Sequence, residues 1–262
     1  MTVQDGAARA AVLDVRGTYR WLAARAEGAG ARIFTGTPAT GVIMDKGRVA
    51  GVTAGGARLR AGVVIDASGF QSAVSKHAGL PHSWSRFGAG AEYEIRAENA
   101  DPDTWWLMVG SKYSPAGYAW IFPVGGDIVR VGVGVGKPES GADPRVLLDR
   151  IMKEDAGPVA ALGRTEMIES HYGLIPNDGP SRKTAYDGLL LVGDSAGQAN
   201  PLVLEGIRYA IRFGGLAGET AASAAAAGDT SFGALKAYED GGLLQYGRGC
   251  ARQAGCKKDG SG

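Results

Sequence analysis

Gly188-Leu-Leu-Leu-Val-Gly-Asp-Ser-Ala-Gly197, followed by Pro201 and Glu205-Gly-Ile-Arg-Tyr-Ala210, decides the fold of this chain. Leu189 to Val192 form a short apolar run behind a glycine, the pattern of a buried strand. The run breaks at Gly193-Asp194, and a long helix rich in small residues follows. A strand that ends in a tight glycine turn at a helix start leaves backbone N–H groups unpaired and directed at one spot, which favours a polyanionic ligand such as a dinucleotide. Asp194 is the one carboxylate there. Beside phosphate it is tolerated if it accepts a hydrogen bond from a sugar hydroxyl instead.

A second strand end of the same kind lies upstream. Val63-Val64-Ile65 is a β-branched run consistent with a buried parallel strand, and it stops at Asp66-Ala-Ser-Gly69. Paired with Gly193-Asp194, it would bring two strand ends to one extended ligand. Around these lie a helix over 12–28 with Tyr19, Leu22, Ala23 and Ala26 on one side, and strand-like segments at Arg32–Phe34, Gly41–Asp45, Val49–Thr53 and Arg58–Arg60. Asp45-Lys-Gly47 and Gly55-Gly56 separate the last three, which predicts an antiparallel meander. Ser72–Gly79 reads as a short helix.

The middle of the chain changes character. Ala89–Ala97, Thr104–Gly110, Tyr118–Val124 and Ile128–Gly134 read as four strands, and Pro144–Asp155 as a helix with Val146, Leu147 and Ile151 inward. Beyond Glu205 the stripe Ile207, Ala210, Ile211, Gly214, Ala217 and Ala221 predicts the buried side of the long helix. A last helix is expected over Phe232–Tyr246 and a flexible tail over 248–262. The expected class is α/β, with a discontinuous dinucleotide-binding domain (1–80 and 164–247) around an inserted antiparallel sheet domain (81–163).

Composition bounds the function. The chain has 262 residues, enough to bury most of its apolar surface, and 45% of them are hydrophobic. A net charge of +1 carries no electrostatic footprint for nucleic acid. Forty-three glycines, more than twice the usual share, recur without a period, which fits many turns and close backbone approaches. Cys250 and Cys256 have no His or Cys at metal spacing, so no metal site is expected and both read as reduced thiols. With no signal segment and no apolar run near membrane-spanning length, a cytoplasmic location is expected.

Two motifs carry rival readings. Gly193-Asp-Ser-Ala-Gly197 also spells the G-x-S-x-G elbow of α/β-hydrolases. There the triad histidine follows the serine, whereas His77, His82 and His171 all precede Ser195, and Pro201 interrupts the helix the elbow requires. Tyr118-Ala-Trp-Ile-Phe-Pro123 places three aromatics at i, i+2 and i+4, on one side of a strand, and Gly132-Val-Gly134 stands on the next strand. Either this is an aromatic core strand beside a glycine-bearing neighbour, or the glycines clear space for a flat or elongated apolar ligand.

Together these pieces resemble the geranylgeranyl reductase family of FAD-dependent oxidoreductases, within the p-hydroxybenzoate-hydroxylase-like flavoproteins. The matching residues are Asp66-Ala-Ser-Gly69, YxWxFP-x8-GxG over Tyr118–Gly134, Gly173-Leu-Ile-Pro176, and Leu191-Val-Gly-Asp-Ser-Ala-Gly197 with Pro201 and Glu205-Gly-Ile207. The resemblance implies a glutathione-reductase-type, Rossmann-like FAD domain. It places Asp66, Ala67, Ser68, Gly69, Gly193 and Asp194 on FAD, with the backbone of Glu205, Gly206 and Ile207 at the flavin ring. Tyr118, Trp120, Phe122, Pro123, Gly132 and Gly134 would line a channel for an isoprenoid lipid. The implied reaction saturates C=C bonds of geranylgeranyl chains in lipids, quinones or chlorophyll precursors, with NAD(P)H or ferredoxin as electron donor and peripheral membrane contact compatible with such a substrate. Tyr118 and His171 are candidate proton donors by chemistry alone; the catalytic residues and the oligomeric state are unassigned. An FAD monooxygenase or halogenase, and a non-catalytic lipid-binding remnant, are the alternatives.

Departures accompany the resemblance. No GxGxxG occurs in the chain. Val15 stands where the family has an FAD-contacting Arg, Leu204 replaces a common glycine and Ser75 a common arginine. The expectation is an N-terminally short chain that holds FAD weakly and exposes a strand edge and apolar surface.

Overall fold

The computed structural model describes residues 12–179, 183–201 and 203–242. Both cysteines, the tail 248–262 and the end of the last expected helix lie outside them. In chain order the elements are α1 (Val15–Gly28), β1 (Ala39–Asp45), β2 (Arg48–Ala54), β3 (Ala57–Arg60), β4 (Val64–Asp66), α2 (Ala73–His77) and β5 (Phe87–Ala97). There follow β6 (Trp106–Val109), β7 (Gly117–Gly125), β8 (Ile128–Lys137), α3 (Pro144–Glu154), β9 (Thr165–Pro176), β10 (Ala185–Tyr186), β11 (Leu189–Leu191) and α4 (Ile207–Ala227). Residues 232–242 are also helical. Two units divide the chain: one runs up to Thr35 and again over Ala89–Gly173, the other holds Gly36–Gly88 and resumes at Leu174.

In the second unit the meander β1-β2-β3 follows from its turns. Lys46-Gly47 and Gly55-Gly56 all have positive φ (50°, 82°, 55° and 76°), the geometry that a two-residue type I′ hairpin demands. A separate sheet has the order β10-β11-β4, with β11 parallel to β4 and Leu191 opposite Asp66. All three leucines of β11 are fully buried because the strand is covered on both faces. Leu190 points into a cluster with Tyr209, Phe213, Ala217 and Tyr238, while Leu189 and Leu191 pack with Val49, Val74 and Ala196. Among the described residues β4 is the outer strand of its sheet, and Ile65 on it is exposed.

The buried side of α4 is the expected one only at Ala217 and Ala221. Tyr209, Phe213, Ala217 and Ala224 face the core, whereas Ile207 and Ile211 are exposed. The two aromatic rings bury more area than the Ile–Ala stripe, so they set the helix rotation.

The other unit is built on a five-stranded sheet, ordered β6-β7-β8-β5-β9. Odd-numbered residues of β5, β7 and β8 (Ala91, Ile95, Ala119, Ile121, Val129, Val131, Val133) form its core with Leu147, Leu148 and Ile151 of α3. Asp143 caps α3 by accepting from the Arg145 N–H at 2.8 Å, with Pro144 opening the helix. Leu148, not Val146, completes the inner side of α3. Helix α1 forms from a local signal, the Asp14 carboxylate accepting from Gly17 N–H at 2.9 Å, but buries no residue; Tyr19 and Leu22 are exposed. The segment Arg32–Phe34 is not a strand.

Candidate functional site

Because β4 and β11 run parallel and adjacent, the loops after Asp66 and after Leu191 leave the sheet side by side. Val192 N–H donates to the Asp66 carbonyl at 2.9 Å. The Ser195 hydroxyl, fully buried, lies 2.6 Å from that carbonyl oxygen and 2.8 Å from the Val192 carbonyl oxygen. Ser195 therefore ties the two strand ends together, which is the opposite of an exposed nucleophile.

The two aspartates at these strand ends are in different states. Asp66 is 1% exposed and its carboxylate accepts from the N–H and hydroxyl of both Ser68 and Ser75. Four donors saturate it, so it organises its own loop and the start of α2; this corrects the expectation that its carboxylate serves a ligand. Ser75, standing where the family has arginine, supplies two of those four bonds. Ala67 and Ser68 form the exposed tip of the loop, and Gly69 takes the positive φ (73°) that its turn requires.

Asp194 is half-buried, and among the described residues its carboxylate has no hydrogen-bond or charged partner. Burial alone pushes its pKa up. A Cβ on Gly206 would stand 3.2 Å from Asp194 Oδ1, so the glycine leaves this carboxylate open on the side of α4. Gly193 N–H, expected to face a phosphate, donates instead to Gln198 Oε1 at 2.8 Å. Gln198 Nε2 in turn donates to Tyr238 Oη at 2.8 Å, and the Tyr238 hydroxyl donates to the Leu191 carbonyl at 2.7 Å. Burial pushes the Tyr238 hydroxyl up to about 12 despite the bond from Gln198, so it stays a donor. Nothing in the sequence singled out this support; Gln198 and Tyr238 are forty residues apart.

Glu205 serves the helix as well. Its carboxylate accepts from Arg208 N–H at 2.9 Å, pairs with the Arg208 guanidinium at 3.1 Å, and covers the start of α4; Ile207 follows Gly206 as the first helical residue. Leu204 holds φ 53°, a conformation that favours glycine, and its Cδ1 lies 2.2 Å from where a Cβ on Gly88 would stand.

In the other unit, Tyr118, Trp120 and Phe122 stand on the sheet face opposite α3. Successive ring centroids are 5.7 and 6.1 Å apart, and Trp105 adds a fourth ring 5.2 Å from Phe122. Pro123 alternates to the other side and is buried with Ala119 and Ile121, so it does not belong to this row. The glycines have a specific task. Tyr118 lies opposite Gly134 and Trp120 opposite Gly132. A Cβ on Gly132 would meet the Trp120 ring at 2.2 Å, on Gly134 at 3.6 Å and on Gly90 at 3.9 Å. What they clear space for is the Trp120 indole, laid flat across β8 toward β5. The resulting surface is an aromatic strip on a glycine floor, extended by the exposed Leu107 and Val109 of β6, which lie opposite Trp120 and Tyr118.

Charged groups border the strip. Trp120 Nε1 donates to Glu92 Oε2 at 2.9 Å; Arg130 makes a two-pronged contact with Glu94 at 2.8 and 2.9 Å. His171 Nδ1 lies 3.3 Å from Glu92 Oε1 and its Nε2 3.4 Å from Glu169 Oε1. Burial raises the Tyr118 hydroxyl above its ordinary value. No helix among the described residues is long and apolar enough to cross a membrane, and no group of potential metal ligands is found among them.

This architecture is shared with flavin-dependent enzymes. The brominase Bmp2 superposes with a TM-score of 0.65 over 87% of this chain and 60% of its own, at 19% identity, and the halogenase CmlS with 0.65 over 88% and 44%, at 21%. More similar is a geranylgeranyl bacteriochlorophyll reductase-like protein from Thermoplasma acidophilum, with a TM-score of 0.78 at 30% identity over 86% of this chain and 57% of that one. Residues 88–175 match the model of the geranylgeranyl reductase catalytic domain. Digeranylgeranylglycerophospholipid reductase 1 of Methanopyrus kandleri is 36% identical over 87% of this chain, and reductase 2 of Methanothermobacter thermautotrophicus 33% over 91%. The chain spans 62% of the length of each. It belongs to the geranylgeranyl reductase family.

Proposed function

We propose that this chain is a flavin-dependent reductase that saturates C=C bonds in the geranylgeranyl chains of a lipid. The cofactor is FAD, held in a Rossmann-like unit formed by 36–88 and the described residues after 174. The observation that carries the reading is the aromatic strip on its glycine floor. An isoprenoid offers almost nothing to hydrogen-bond, so a flat row of rings and loss of water supply most of its binding.

The cofactor side is supported by Asp194. A carboxylate withdrawn from water with no partner among the described residues is a costly arrangement in the free chain, and a ribose or ribityl hydroxyl would satisfy it. Gly206 keeps its approach open, and the backbone at Gly206 and Ile207 would lie against the flavin. When bound, reduced FAD supplies hydride to one carbon of the double bond, and a proton on the other completes the saturation. The protein's part is to hold the chain in register on Tyr118, Trp120 and Phe122 and to keep water from it. The names of the relatives favour a digeranylgeranylglycerophospholipid as the substrate. A nicotinamide or a ferredoxin is the proposed electron source.

The test is to supply the chain with FAD, dithionite and digeranylgeranylglycerophospholipid under anaerobic conditions and follow lipid mass. Two hydrogens gained per double bond is the expected result. An unchanged lipid, with oxygen consumed or halide incorporated on an aromatic acid, would move the chain to the monooxygenase or halogenase class.

A further inference from the structure

We propose that Glu92 is the positioning residue of the aromatic strip. This rests on the strip being the isoprenoid surface. Glu92 lies on β5, outside the Tyr118–Gly134 motif, and its side chain is only 21% exposed. One carboxylate oxygen accepts from the indole of Trp120 at 2.9 Å, and the other faces His171 Nδ1 at 3.3 Å and Arg130 Nε at 3.7 Å. The glycines at 90, 132 and 134 make the flat orientation of the indole sterically allowed, but an open floor does not select it: a ring over three glycines can also tilt or swing toward solvent. Among the described residues, the hydrogen bond that picks one orientation is that from Nε1 to Glu92. Arg130, held by its two bonds to Glu94, closes the far side of the carboxylate and keeps Glu92 from following the ring. Because the same carboxylate also faces His171, the plane of the central ring and the place of that imidazole are set together. Glu92 touches neither hydride nor double bond. It acts through Trp120.

The test uses the full chain and three variants, E92A, E92Q and W120F, with geranylgeraniol as the probe. The near-ultraviolet circular dichroism band that W120F removes reports the fixed indole, and quenching of tryptophan fluorescence by geranylgeraniol reports binding. E92A is expected to lose that band and to bind geranylgeraniol about tenfold more weakly. E92Q, whose amide oxygen still accepts from Nε1, is expected to restore both. Far-ultraviolet spectra separate a misfolded variant from a loosened ring, and E92Q, nearly identical in shape, keeps the comparison available if E92A does not fold. An E92A chain that keeps the band and the affinity overturns the proposal while leaving the isoprenoid reading in place. A folded wild-type chain that does not take up geranylgeraniol overturns that reading, and the proposal with it.

Discussion

Asp66 and Asp194 end neighbouring parallel strands, yet one is saturated by four internal donors and the other has none among the described residues. A carboxylate raised by burial is more stably housed when protonated. Its contribution to folding is therefore fullest below the ordinary value of 3.8 and is lost as pH rises through its folded pKa. At neutral pH D194N removes that cost, so the flavin-free chain should melt higher than wild type, while flavin affinity falls at least about tenfold, roughly 1.4 kcal/mol. Thermal melts and flavin titration check the two halves separately; a variant that loses stability without losing flavin would place Asp194 among the purely structural residues. Ser195 makes the converse case. S195A should cost about 1–3 kcal/mol in urea unfolding, because it strips a buried donor from two strand-end carbonyls. At Leu204 the usual order of substitutions should invert. With φ at 53°, L204G should exceed L204A in stability by about 1 kcal/mol, since only glycine relieves the left-handed backbone.

Among the elements, the glycine-bearing strand β8 lends itself to a graded test. G132A drives a methyl into the Trp120 ring and should cost about 1–3 kcal/mol, whereas G134A makes ordinary contact and should cost much less. Equal effects in chemical denaturation would mean that the indole does not rest on Gly132. The strands themselves were readable from the sequence wherever period-two alternation was strong. The reading Ala89–Ala97 becomes Phe87–Ala97, and Ile128–Gly134 becomes Ile128–Lys137. β9 was not read as a strand, because Thr165–Pro176 alternates weakly and its first half is largely exposed. α4 was legible in position but only partly in rotation: Ala217 of the Ile–Ala stripe is buried, whereas Ile207 and Ile211 are exposed and Tyr209 and Phe213 take the core side. Of the site, the strand ends and the aromatic row were legible because turn chemistry and alternation are local. The saturation of Asp66 by Ser75, the Gln198–Tyr238 support and the Glu92–Trp120 bond were not, since each depends on which loop or strand folds against which.

At the scale of the whole molecule, two buried carboxylates, one in each unit, respond to acid in opposite senses. In the sheet unit Asp155 has a side chain only 1% exposed. Burial pushes it up, but the Val159 N–H at 3.1 Å and the Lys112 ammonium at 3.2 Å outweigh that, and its pKa is lowered. A lowered carboxylate contributes stability above 3.8 and loses it as pH falls through its folded pKa. Asp194, in the other unit, is relieved over the acid range instead. The net charge of +1 is too small for overall repulsion to mask these local terms near neutrality. Thermal unfolding of variants followed between about pH 3 and pH 7 should therefore separate the two contributions. D155N should lower stability most at neutral pH, by about 1–3 kcal/mol of lost buried bonding, and converge on wild type in acid. D194N should raise it at neutral pH and likewise converge below the ordinary carboxylate range. Shifts of the same sign in both variants would show that Asp194 is partnered in the folded protein, and the open acceptor assigned to FAD would have to be sought elsewhere.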